Sequence, residues 1–187
     1  MRKLIFMMFI TFCVSGLFAQ TEYEAVIFDR SVLMGDSVRN VRRDVPYLSP
    51  REYYGNVVEG MQQLVYIEER SLSRIESART EITAEFYLNR LYSVHIYSSG
   101  TNNQRIQNDI RALRSIYGNE TSNENRNNRH QLRWEFKTPG SDRTIFTVLF
   151  SYSQSHDEGI GYSGTHSYSL IYSYSPVANE LNTARGR

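Results

Sequence analysis

Apolar and polar residues alternate along much of this chain with a period of two. From Gln131 to Lys137, Leu132, Trp134 and Phe136 fall on one side and Arg133, Glu135 and Lys137 on the other. Phe146, Val148, Phe150 and Tyr152 share a face within Thr144–Tyr152, and His166, Tyr168, Leu170, Tyr172 and Tyr174 share one in the last such segment, opposite Thr165, Ser167, Ser169 and Ser173. This pattern predicts half-buried antiparallel strands. Upstream, Gln63 to Glu68 reads as a strand, Ile82, Ala84, Phe86 and Leu88 mark a second, and Leu91 to Tyr97 a third, with a tight turn at Asn89-Arg90. Pro139-Gly140-Ser141-Asp142 is a turn signal between two of the later strands.

Helical spacing is rarer. Ile106, Ile110, Leu113, Ile116 and Tyr117 recur at i, i+4, i+7, i+10 and i+11, which predicts one apolar stripe on a helix. Thr101-Asn102-Asn103-Gln104 has the form of a capping box at its start, and Gly118 is placed to end it in a left-handed cap. A shorter helix is predicted from Asp36 or Ser37, carrying Val38, Val41 and Val45 and stopped by Pro46. The asparagine-rich tract Asn119 to Asn128 reads as a mobile loop, and residues 176–187 as a polar, disordered tail.

In order, these elements repeat. A helix near 37–45 precedes strands near 62–69, 75–88 and 91–98, and a helix near 102–117 precedes strands near 130–138, 143–153 and 161–174. The predicted fold class is therefore α+β, a tandem of helix plus three-stranded antiparallel sheet (αβββ-αβββ), with halves at 20–100 and 101–175. One helix cannot cover both faces of its sheet, so the two sheets pack or join edge to edge, with the helices on one face.

The N-terminus changes the setting. Arg2 and Lys3, the apolar run Leu4–Val14, the small residues Ser15, Gly16 and Ala19, and the polar Gln20-Thr21-Glu22 follow the order of a secretory signal peptide over residues 1–19. Ala19 is the expected residue before the cut, with Gly16 as the alternative. The run is shorter than the ~20 residues of a spanning helix, so no stable membrane insertion is expected after cleavage. The only cysteine, Cys13, leaves with the signal, and disulfides, cysteine zinc sites and cysteine nucleophiles leave with it. An exported protein without disulfides fits the periplasm or the outside of a Gram-negative-type bacterium. The cleaved chain keeps 168 of 187 residues, with 19 basic against 20 acidic ones, and has no global field to draw nucleic acid.

Gly35-Asp36-Ser37-Val38-Arg39-Asn40-Val41 resembles the G-x-S-x-x-x-V helix start of small bacterial envelope modules, in which a helical segment packs on a three- or four-stranded antiparallel sheet. The β-lactamase-inhibitor-protein-like fold and the small outer-membrane-assembly lipoprotein are built this way. Phe86-Tyr87-Leu88-Asn89-Arg90-Leu91-Tyr92, a helix ending Tyr117-Gly118, then Trp134 and Thr144-Ile145 resemble uncharacterised secreted proteins of that type, over most of residues 30–175. The chain departs from the lipoproteins by lacking a lipobox, and it has Asn119-Glu120 where a proline commonly follows the Tyr-Gly. The resemblance implies binding or assembly without catalysis and carries over no specific binding residue.

Candidate chemistry is thin. Gly159-Ile160-Gly161-Tyr162-Ser163-Gly164 has the letters of a dinucleotide loop but strands on both sides, so it reads as a hairpin connection. His156-Asp157-Glu158 lies in the same loop, where adjacent residues do not converge on one metal. His95 and His166 sit on strands, and Arg39, Arg42, Arg43 and Arg51 form a basic cluster diluted by Asp36 and Asp44. No catalytic, cofactor or metal residue is assigned, and no enzyme activity is expected. With 14 tyrosines and nine phenylalanines, the expected recognition surface is the face of Tyr152, Tyr168, Tyr172 and Tyr174, meeting another envelope protein; the alternative is that these rings fill the sheet–helix interface. A small-ligand carrier with a pocket between sheet and helix is the second expectation, and a hydrolase the third.

Overall fold

The computed structural model describes residues 22–53, 57–71, 77–126, 129–153 and 166–186. The predicted signal peptide with Cys13, the glycine-rich Gly159–Gly164 and the His156-Asp157-Glu158 run lie outside them. The described strands are β1 (Glu24–Ile27), β2 (Arg30–Leu33), β3 (Ser49–Pro50), β4 (Met61–Ser71), β5 (Ser77–Tyr87), β6 (Arg90–Thr101), β7 (Ser122–Arg126), β8 (Arg129–Lys137), β9 (Thr144–Ser153) and β10 (His166–Tyr174). The helices are α1 (Val38–Asp44), α2 (Asn103–Tyr117) and α3 (Ser175–Arg185). The fold is α+β with antiparallel sheets, as the alternation predicts.

The predicted three-stranded repeats are corrected. β3 to β10 form one eight-stranded sheet in the order β3-β4-β5-β6-β10-β9-β8-β7. Each half contributes a four-stranded meander, and the meanders meet through their last strands, with Leu170 opposite Ile96 across the join. The fourth strands were hidden for different reasons. β3 is two residues long. β7, Ser-Asn-Glu-Asn-Arg, is an edge strand with both faces polar, so it has no alternation to read, and it replaces the loop expected there.

Local chemistry sets the helix ends. Ser37 Oγ accepts from the Asn40 N–H at 3.2 Å, and Asp36 Oδ1 accepts from the Asn40 side chain at 2.6 Å, fixing the start of α1. At α2 the cap falls one residue later than the capping-box letters suggest: Asn102 Oδ1 accepts from the Arg105 N–H at 2.9 Å. Gly118 ends that helix at φ 79°, a conformation that disfavours a side chain, and its N–H reaches Arg114 O at 3.0 Å. Ile106, Ile110 and Leu113 are buried, whereas Ile116 turns outward.

One face of the sheet carries the main core. Leu64, Ile82, Phe86, Ile96, Leu170, Phe150 and Trp134 lie there beneath α1, α2 and the β1–β2 hairpin. Trp134 donates its indole N–H to Gly118 O at 2.9 Å, tying β8 to the end of α2. Tyrosine hydroxyls hold the hairpin by its backbone: Tyr117 donates to Glu24 O at 2.8 Å, Tyr172 to Val26 O at 3.3 Å and Tyr47 to Ile27 O at 3.4 Å.

The C-terminal segment is also corrected, from a disordered tail to α3. Val177 and Leu181 are buried against Met61, Tyr87 and Tyr92, with Pro176 in the first turn of the helix. Met61 and Tyr87 are cross-strand partners whose side chains alternate with those of Gln62 and Phe86, so α3 covers the opposite sheet face from α1 and α2. The helices are therefore not all on one face. Two apolar residues one turn apart in an otherwise polar segment gave too little periodicity to predict it.

Candidate functional site

Two rows of residues run along α2. Ile106, Ile110, Leu113 and Tyr117 face the sheet. Beside them, at the same i, i+4, i+7, i+11 spacing, lie Arg105, Asp109, Ala112 and Ile116, which a step of about 100° per residue places on one flank of the helix. This flank does not close against the sheet. It borders a cleft of about 190 Å³ whose floor is Ile96, Phe150, Tyr168, Leu170 and Tyr172 and whose far wall is Val26 and Phe28 of the hairpin.

The lips are open, with Phe28 45% and Ile116 52% exposed and the exposed Arg105 beside them. Phe28 adopts φ 54°, which is costly for a bulky side chain, in the two-residue turn between Ile27 and Arg30. Its ring is held from the other side by Tyr47 at 5.6 Å and Tyr66 at 5.9 Å between centroids.

The interior has one polar focus. Asp109 Oδ2 is buried and has no hydrogen-bond partner. Burial pushes the Asp109 carboxyl above the usual aspartate range, against the opposing pull of the Arg105 guanidinium and the Tyr168 hydroxyl. Burial likewise pushes the Tyr168 phenol up, with the Asp109 charge adding to it. The site therefore offers a hydrogen-bond acceptor at the end of a mostly apolar, aromatic space, the usual composition of a small-molecule site.

The expected tyrosine surface belongs to this region but is not open. Tyr172 is fully buried and Tyr168 is 8% exposed, both on the core face of β10. Tyr152 is half-buried and stacks on His130 at 4.8 Å, and half-buried Tyr174 packs near Tyr23 at 6.4 Å. Tyr168 and Tyr172 fill the interface between the sheet and its covering elements, and Tyr152 and Tyr174 pack at its margin. The covering is what the sequence did not reveal, because the hairpin that supplies much of it was not predicted.

The other candidates lie elsewhere. His95 is on the opposite, solvent-facing side of the sheet, with its Nε2 2.9 Å from Ser169 Oγ on the neighbouring strand. Desolvation of the ring pushes its pKa down, while Glu85 and Glu81 push it up more weakly. Among the described residues no carboxylate hydrogen-bonds its other nitrogen, and the pair sits in the middle of regular strands where the backbone N–H groups serve the ladder. His166 Nδ1 and Thr101 Oγ1, on paired residues at the end of β10 and β6, are buried without partners. Of the basic cluster, Arg43 pairs with Asp44 at 2.8 Å, and Arg39, Arg42 and Arg51 are exposed. Among the described residues no three histidines, cysteines or carboxylates gather as a metal site, and no helix is long and apolar enough to cross a membrane.

Sequence reasoning missed Phe28, Arg105, Asp109 and Ala112. The second helical row held the signal: an acidic residue one position before Ile110 lies close to the apolar stripe, where a solvated carboxylate is not expected. No family model, curated protein or solved structure matches this chain.

Proposed function

We propose that this protein is a non-catalytic binding module of the cell envelope, exported by its N-terminal signal, and that its site is the cleft between α2 and the sheet. The observation that carries this reading is the cleft itself: an aromatic-lined space with exposed apolar lips and a buried acceptor without a donor. Two features speak for a small ligand over docking of another protein through the tyrosine face. Tyr168 and Tyr172 are withdrawn beneath the hairpin and α2, and the cleft is sized for a molecule of about one ring.

Thermal unfolding in the presence of a panel of ring-sized organic molecules tests the proposal. A ligand that binds only the folded state at about 100 times its Kd stabilises by roughly 2.7 kcal/mol. Ala112→Phe places a ring across the mouth from an exposed helical position, and it abolishes the shift if the cleft is the site. Stabilisation that survives Ala112→Phe, or none with any member, refutes the assignment.

A further inference from the structure

Resting on the cleft as the binding site, we infer its ligand class: a small organic cation, with an ammonium head on an apolar body about the size of one six-membered ring. Size comes first. A cavity of about 150 Å³ holds benzene, so about 190 Å³ takes a ring and a short arm.

The head group follows from what the walls lack. Asp109 Oδ2 is buried without a hydrogen-bond partner, the Tyr168 hydroxyl offsets only part of the cost of burying the carboxyl, and an ionised carboxylate offers only acceptor sites. Arg105, one turn earlier, offsets part of the cost of burying the carboxyl through its charge, but it makes no ion pair with Asp109 among the described residues and is exposed at the rim, where solvent and salt weaken that pull. An ammonium group meets Asp109 in a charge-assisted hydrogen bond. A carboxylate head would oppose the Asp109 charge. A hydroxyl head would fill the hydrogen bond but leave the charge to Arg105 at the rim alone.

The rings supply an independent argument. Phe28, Phe150, Tyr168 and Tyr172 all line the cleft, with Phe150 and Tyr168 5.2 Å apart between centroids. Aromatic faces attract cations through their quadrupoles, more strongly when the pair is desolvated, and several rings around one space form the kind of cage that takes organic ammonium ions. A neutral apolar ligand would call for aliphatic walls equally well and would give no reason for a half-buried carboxylate with one oxygen sealed among them.

Titration calorimetry of the purified protein with three near-isosteric probes, 2-phenylethylammonium, 2-phenylethanol and 3-phenylpropionate, is the test. The ammonium probe is expected to bind at least tenfold more tightly than the alcohol and the carboxylate. Asp109→Asn, checked for folding by circular dichroism, should weaken the ammonium probe at least tenfold while changing the alcohol less than threefold. Ala112→Phe should remove binding of all three. Equal binding of the alcohol or carboxylate, lost in Ala112→Phe, overturns the cation assignment and leaves the cleft reading standing. Absence of binding by every probe, or binding that Ala112→Phe does not affect, overturns both.

Discussion

The two faces of β10 lie back to back and behave as different materials. On one, Tyr168, Leu170 and Tyr172 are buried under α2 and the hairpin. On the other, Ser167, Ser169 and Ser173 lie on a mainly polar surface whose cover is α3 at one end. The strand is the same; what differs is the partner laid over each side. The covered face carries most of the apolar burial that stabilises the fold, and it also holds a place where covering is incomplete. The polar face contributes cross-strand hydrogen bonds that compete with water and so stabilise little.

The sharpest way to break this contrast is Phe150→Ala, which empties a fully buried site beside Leu132 and Leu170. It should cost about 3–5 kcal/mol in urea unfolding; a loss under 1 kcal/mol would mean that the covered face does not carry the stability. Next comes Leu181→Ala under α3. A loss of about 2–3 kcal/mol is expected, at the low end for such a truncation because a terminal helix can resettle. No loss would return the C-terminal segment to a tail without structural weight.

A smaller, pH-dependent effect concerns Asp109. Burial raises its pKa in the folded state, so the folded protein holds this proton more tightly than the unfolded chain does. The favourable contribution of the protonated group is fully present below the unfolded aspartate pKa and is lost as pH rises through the folded value. Asp109→Asn should therefore gain stability relative to wild type between acidic and neutral pH, followed as the difference in urea midpoints. A constant difference across that range would place the carboxyl in solvent. Smallest of all, Ser169→Ala removes the His95 contact on the open face and should change stability by no more than about 0.5 kcal/mol. A loss beyond 1.5 kcal/mol would show that this face is sealed in solution.

Legibility followed the same division. Strands with one wet and one dry face announced themselves, as β8, β9 and β10 did, because period-two alternation survives only when the two environments differ. β7 is wet on both sides and showed nothing. β1 and β2 are too short for a pattern, yet they cover Tyr172 and form the far wall of the cleft. The cleft residues were individually plain: a helical aspartate, an alanine, a turn phenylalanine. Only the flank of α2 joins them, and a stripe search reports the row that packs, not the row beside it.

The grip of tyrosine hydroxyls on the hairpin has a consequence in time. The acceptors Glu24, Val26 and Ile27 belong to β1, while their donors stand 93, 146 and 20 residues further on. A nascent chain holds β1 long before Tyr117 and Tyr172 exist. The hairpin can form alone, but the Glu24 and Val26 carbonyls stay with water until Tyr117 and Tyr172 are in place. β1 is thus made well before the elements that hold it, and the cleft that it walls comes into being only with β10.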